Sequence, residues 1–178
     1  MKNTIWQTAS NRKELEAIIL EFKEQGVRPN IKIEAWRMDS QVINFSGHEI
    51  GDLLLEGESA GYLILSYSKF NNIYIRKSTC RTVDLKESEF TNLEISEATT
   101  DNIQMYMSSP KSITIDNSNV GEINLDLING ACNVSIHASK TGTIRATKAK
   151  ITIRAISSEI SGLQIRESNK IDFNLIVP

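Results

Sequence analysis

The chain is short of the residues that interrupt or cross-link a polypeptide. Its 178 residues include 3 prolines, 9 glycines and 2 cysteines. That leaves little material for a structureless linker, and the length suits one domain with a continuous core. Cys80 and Cys132 have neither metal-ligand spacing nor the density of a disulfide framework. The two histidines, His48 and His137, stand too far apart in the repeat described below to share a site. No apolar run is long enough to span a bilayer. Met1 to Ser10 lacks the basic stretch and apolar core of a signal peptide, so a cytoplasmic location is expected, with no membrane partner. A net charge of -2 points to neither nucleic acid nor membrane, and direct nucleic-acid binding is not expected. Glycine-rich phosphate loops, paired-cysteine clusters and nucleophile elbows are all missing. The expectation is a protein that is not an enzyme, with no catalytic, cofactor-binding or metal-binding residues.

What the chain has instead is a ten-residue beat from Val42 to Asp126. Every tenth residue from Ile43 is aliphatic: Ile43, Leu53, Leu63, Ile73, Val83, Leu93, Ile103, Ile113, Ile123. Two places later runs a second apolar column: Phe45, Leu55, Leu65, Ile75, Leu85, Ile95, Met105, Ile115, Leu125. Five after the first column stands a small residue in most repeats, as in Ser68, Ser78, Ser88, Ala98, Ser108 and Ser118. Two beyond that is a mixed column with Phe70, Cys80, Phe90 and Val120, which places Cys80 as a small buried hydrophobe. A fixed period of this kind marks a solenoid. Each apolar-x-apolar triplet reads as a short strand with both ends facing one side, and the polar five that follow turn a corner. A coil cannot close around a filled core in ten residues, so two units are paired into one coil of about twenty.

Ahead of the repeat, Asn11-Arg12-Lys13-Glu14 reads as a capping box, with Leu15, Ile18, Ile19 and Phe22 forming one apolar stripe. Gly26 supplies a left-handed stop and Pro29 blocks resumption, so a helix is expected at about residues 12–25. The solenoid's open end needs a cover, and this helix is the expected cap. Ile31 to Trp36 alternates like a strand and is expected to begin the solenoid out of register, with Trp6 and Trp36 as packing anchors. The division is thus one domain over residues 1–178: a capping helix region at 1–30 and a β-solenoid at 31–178.

The segments Ser78 to Thr82, Val83 to Glu87, Ser88 to Asn92 and Leu93 to Glu97 resemble successive pentapeptide repeats. The resemblance runs from about Val42 to Asp126, and more loosely from Ser157 to Leu175. It implies an all-β fold, a right-handed parallel β-helix with about 20 residues per coil, here preceded by an N-terminal α-helix. Alternate pentapeptides carry Ile, Leu or Val where that family prefers Ala or Ser. A three-sided or flattened solenoid like that of the bactofilins is therefore the second expectation.

The beat slips once. After Ile123 the next pair is Val134 and Ile136, an insertion placed at Ile128 to Ala131 and expected to form a bulge or loop. Ile153 and the pair Leu163 and Ile165 return to the original phase, so a residue is dropped near Lys148 to Ile151.

Charge is uneven along the chain. Glu87 to Asp126 holds eight acids and the single base Lys111, whereas no acid lies between Leu127 and Ser158. A single-sign band on a rigid surface steers partners of opposite charge. The candidate interaction surface comprises Glu87, Glu94, Glu97 and Asp101 in the acidic middle and Lys140, Arg145, Lys148, Lys150 and Arg154 in the basic band. Tyr74 and Tyr106 join it, with Tyr67 and Met107 also at outward or corner positions. The acids Asp84, Glu87, Glu89, Glu94, Glu97 and Asp101 fall at different repeat positions, and so do not gather as a polysaccharide-cleaving site would require.

These features point to a non-catalytic binding module whose partner is another protein. The pentapeptide-repeat resemblance implies two specific forms: mimicry of duplex DNA toward a type II topoisomerase, or neutralisation of a toxin. An end-to-end polymerising structural subunit is the alternative, and a small carbohydrate-active enzyme the third. The last strand, Ile171 to Pro178, has no later helix to cover it. Ile171, Phe173, Leu175 and Val177 are the candidate interface of a homodimer formed through the C-terminal coil, as the resemblance also implies.

Overall fold

The computed structural model describes residues 5–34 and 42–167, and the backbone of 170–176. Trp36 and Val177 lie outside the described residues. In chain order the elements are β1 (Trp6–Ala9), α1 (Arg12–Glu24), β2 (Asn30–Ile33), β3 (Val42–Asn44), β4 (Asp52–Glu56) and β5 (Ser59–Ile64). There follow β6 (Asn72–Arg76), β7 (Thr79–Asp84), β8 (Glu89–Ser96), β9 (Thr99–Gln104), β10 (Ser109–Asp116) and β11 (Asn119–Asn124). The last are β12 (Ala131–His137), β13 (Lys140–Thr147), β14 (Lys150–Ile156), β15 (Glu159–Arg166) and β16 (Lys170–Ile176). Among the described residues they form two parallel sheets. The first, of nine strands, runs β1-β2-β4-β6-β8-β10-β12-β14-β16, and the second, of seven, runs β15-β13-β11-β9-β7-β5-β3. From β2 onward successive strands alternate between sheets, so each coil takes two ten-residue units and the chain is a β-solenoid of about 8 turns.

The apolar columns are the core. Ile43 to Ile123 in the first column and Phe45 to Leu125 in the second are all buried, as are Phe70, Cys80, Phe90 and Val120 in the mixed column. Cys132 is buried too. Desolvation pushes both thiols up to about 12, which holds them as neutral, inert groups.

Two corner devices close the coil. One is a ladder of serines. The Ser88 hydroxyl donates to the carbonyls of Leu65 at 2.7 Å and Lys86 at 3.2 Å, while the Ser68 amide donates to Ser88 Oγ at 3.4 Å. Ser68, Ser78, Ser118 and Ser139 repeat the arrangement. Small size explains why a serine fits there; corner groups that no strand can pair explain why it is serine. The other device is a left-handed residue just before each serine position. Gly47, Gly57, Tyr67, Lys77, Glu87, Glu97, Met107, Asn117 and Leu127 all have positive φ, and Ala138, Lys148, Ser157 and Glu167 continue the series. None of these is β-branched, the side-chain class that suffers most in that conformation.

The helix has the expected start and stop. The Glu14 amide donates to Asn11 Oδ1 at 3.0 Å, and the Glu14 carboxylate reaches back to the Ser10 amide at 2.8 Å. At the other end Gly26 N–H donates to Lys23 and Val27 N–H to Phe22, a Schellman closure on a left-handed glycine. Leu15 enters the core, with Ile18 and Ile19 packed against it. The helix does not precede the sheet, however. It is the connection between β1 and β2, which pair from Trp6↔Asn30 to Ala9↔Ile33, so the sheet begins at half-buried Trp6. Strand β2 is out of step as expected, because Ile31 and Ile33 pair with Leu53 and Leu55 at a spacing of 22.

The slip is real and local. Ile113↔Val134 is an offset of 21, Val134↔Ile153 one of 19, and Ile153↔Phe173 returns to 20. The extra residue is absorbed at Asn129 and Gly130, which are exposed, with Gly130 left-handed at φ 86. Ile128 stays buried. Beyond the bend, Cys132, Val134 and Ile136 alternate strictly inward along β12. Earlier long strands step by three between inward residues, as from Phe90 to Leu93.

Candidate interaction surface

The left-handed column divides between two edges of the solenoid, because a coil holds two units. One edge carries Gly57, Lys77, Glu97, Asn117, Ala138 and Ser157, all polar or small. The other carries Gly47, Tyr67, Glu87, Met107, Leu127, Lys148 and Glu167. Backbone bonds join its rungs in series: Tyr67 N to Lys86 O at 3.0 Å, Glu87 N to Tyr106 O at 3.0 Å, Met107 N to Asp126 O at 3.2 Å and Leu127 N to Thr147 O at 2.8 Å. Neighbouring rungs are therefore about 4.8 Å apart, the spacing of paired strands.

This second edge is apolar in the wrong place for a solvated corner. Tyr67 is 63% exposed and Met107 42%, and Tyr106 is exposed beside Met107. Each of Tyr67, Met107 and Leu127 also bears the strain of a left-handed backbone that glycine would avoid. Glu87 sits among them, and its negative charge beside the phenol pushes the Tyr67 hydroxyl above its usual range. The edge thus offers a row of tyrosine, carboxylate, tyrosine with methionine, and leucine.

The other expected surface residues do not gather. Tyr74, Glu94 and Arg154 share one outward column of the nine-stranded sheet. There Arg76 stacks on the Tyr74 ring at 4.8 Å and pairs with Glu94 at 2.8 Å. Burial chiefly, then Asp52 and Glu94, raises the Tyr74 phenol, with Arg76 opposing. Glu97 is on the opposite edge from Glu87, and Asp101 lies in β9. The basic band splits likewise. Lys140 and Arg145 belong to the seven-stranded sheet, Lys150 and Arg154 to the nine-stranded one, and Lys148 to the apolar edge. Several of these cations answer carboxylates of neighbouring coils: Lys140 pairs with Glu159 at 3.4 Å and Lys148 with Glu167 at 3.4 Å. Arg145 reaches Glu122 at 3.4 Å and the buried Asp126 at 3.1 Å. Of the eleven residues expected to form the surface, Glu87, Tyr106 and Lys148 share the apolar edge.

The two histidines are well separated: His48 flanks Gly47 near α1, and His137 in β12 contacts Asp116 at 2.8 Å. At the far end, β15 is the last strand of its sheet, and Leu163 is 39% exposed although Ile144, directly beneath it, is fully buried. Ile171, Phe173 and Leu175 lie on β16, in register with buried Ile151, Ile153 and Ala155. Leu127 belongs to no apolar column, so the ten-residue period alone does not mark it as part of a surface. The signal that finds it is negative: a column without valine, isoleucine or threonine, which marks left-handed corners and hence outward display. No family model, curated protein or solved structure matches the chain.

Proposed function

We propose that this protein is a non-catalytic binding module that docks another protein along one edge of its solenoid. The observation that carries this reading is the run Tyr67, Glu87, Tyr106, Met107 and Leu127, where exposed Tyr67 and Met107 and half-buried Leu127 are held at strained corners with exposed Tyr106 beside them, while the opposite edge is polar or small. Strain and exposure both oppose folding, so their coincidence on one edge favours a functional role. Aromatic and methionine side chains are the residue types enriched at protein interfaces. The fitting partner presents apolar side chains and a basic group opposite Glu87. Glu87 and Glu97 stand between uncharged or basic rungs on their edges, which favours such a mixed partner over the cationic groove that a mimic of duplex DNA would enter. A toxin or another cytoplasmic protein fits the same description.

The test is site-specific photocrosslinking in cells with a benzophenone side chain at Tyr106 and, separately, at Asn117 on the polar edge. The expected result is an adduct with one protein from position 106 and none from 117. Identical adducts from both positions, or none from either, overturn the reading.

A second reading is favoured by the exposed Leu163. It is self-association through the last coil, as a closed homodimer or as an end-to-end assembly, where a second copy would cover Leu163 and the half-buried Ile160 and Ile165.

A further inference from the structure

Where α1 leaves the first coil there is a cavity of about 590 Å³, within the usual size range of small-molecule sites. One wall is the end of the helix, with Ile19, Lys23 and Gly26; the floor is Val27, Arg28 and Pro29; the far wall is the corner Gly47, His48 and Glu49. Three basic side chains thus meet one carboxylate. Arg28 binds Glu49 Oε2 through Nε at 3.1 Å and Nη2 at 2.7 Å. His48 is half-buried, and its backbone N–H donates a hydrogen bond to Ser68 Oγ at 3.3 Å. Desolvation first, then the Lys23 ammonium, lowers the imidazole below its ordinary value, and Glu16 opposes this. Glu16 is itself paired with Arg12 at 2.7 Å, and Lys69 of the next coil with Glu89 at 3.6 Å. Protonating a half-buried imidazole beside an ammonium is electrostatically unfavourable, and an anion seated between them would relieve that cost. Ile19, Val27 and Pro29 give the same space an apolar side, and Val27 is exposed there.

We infer that this cavity is a binding site for a small organic anion, whose phosphate or carboxylate head meets Lys23, Arg28 and His48 while its apolar body lies on Ile19, Val27 and Pro29. The site is distinct from the edge proposed for protein docking and does not depend on it. With His48 neutral the three side chains and Glu49 sum to a charge of +1, and protonation makes it +2. A bound anion raises the His48 pKa, so affinity must rise as pH falls through that value.

The experiment is an amide-detected NMR titration of the full chain with phenyl phosphate, with benzoate and with benzyl alcohol, at neutral and at mildly acidic pH. Saturable shifts at Gly26, Gly47 and His48 are expected with either anion and not with the alcohol. The tighter of the two anions identifies the headgroup. Binding should strengthen at the lower pH in the wild type and lose most of that pH dependence in His48→Gln. Lys23→Ala should weaken it about tenfold, a loss on the scale of one charge-assisted contact. Glu49→Gln, which frees Arg28 and removes the one carboxylate among the described lining residues, should tighten it. Spectra of the unliganded variants that overlay the wild type away from the cavity establish that they fold. Absence of saturation with both anions, equal shifts with benzyl alcohol, or weaker binding in Glu49→Gln would overturn the proposal.

Discussion

A side chain in this solenoid is governed by its place in the ten-residue unit, and single substitutions test that directly. Glu97 sits at φ 50, where a side chain costs about 1 kcal/mol and a β-branched one more. Glu97→Ile should lower stability relative to Glu97→Gly by about 1–2 kcal/mol in urea titrations, with an unchanged slope. Equal midpoints would show that the corner conformation is not what selects these residues. Ile95 and Glu94 are neighbours with opposite roles, one fully buried and one paired with Arg76 at the surface. Ile95→Asp should cost several kcal/mol, about what an unpaired buried charge costs, and Glu94→Ala no more than about 1 kcal/mol. Equal melting temperatures would refute the inward and outward assignment. Arg145, expected from sequence to serve a partner, is engaged by Asp126, whose other oxygen is buried without a partner among the described residues. Arg145→Met should therefore destabilise by about 2 kcal/mol. In Asp126→Asn the same change should cost less, which a double-mutant cycle by chemical denaturation will read. Additive effects of the two substitutions would sink the coupling.

At the scale of elements, the informative places are those where the period is broken. The bend at Asn129 and Gly130 takes up the inserted residue with an exposed, left-handed glycine. Its amides should exchange hydrogen faster than those of Ile113 to Ile115, which lie in a strand paired on both sides. Uniform protection across the two segments would contradict a local bend. Gly142 marks a different break: a Cβ there would stand 2.2 Å from the Gly121 carbonyl oxygen of the coil below. Gly142→Ala must displace backbone, and so should lower the melting temperature more than Gly130→Ala, whose Cβ meets nothing within 4 Å.

For the whole molecule, the last coil and the apolar edge make opposite demands on association. If the exposed Leu163 end joins two copies, the wild type should elute as a dimer by light scattering and Leu163→Glu as a monomer with an unchanged circular dichroism spectrum. Tyr106→Lys, on the edge, should leave that dimer intact. A monomeric wild type at high micromolar concentration removes the self-association reading and leaves the edge untouched.

The sequence by itself determined the coil, its core columns, the helix with both its caps, and the slip with its repair. All of these depend on contacts that recur at one fixed spacing, so each repeat reports the burial of its neighbours. Tertiary structure decided the rest. Whether Glu87 and Glu97 face the same partner depends on the coil holding two units, which sends consecutive corners to opposite edges. The placement of α1 between β1 and β2 depends on a four-residue strand too short to show a period. The cavity at Lys23, Arg28 and His48 depends on where that helix ends against the first corner. Residues 23, 28 and 48 share no spacing; only the packing of a helix on an open coil brings their charges together.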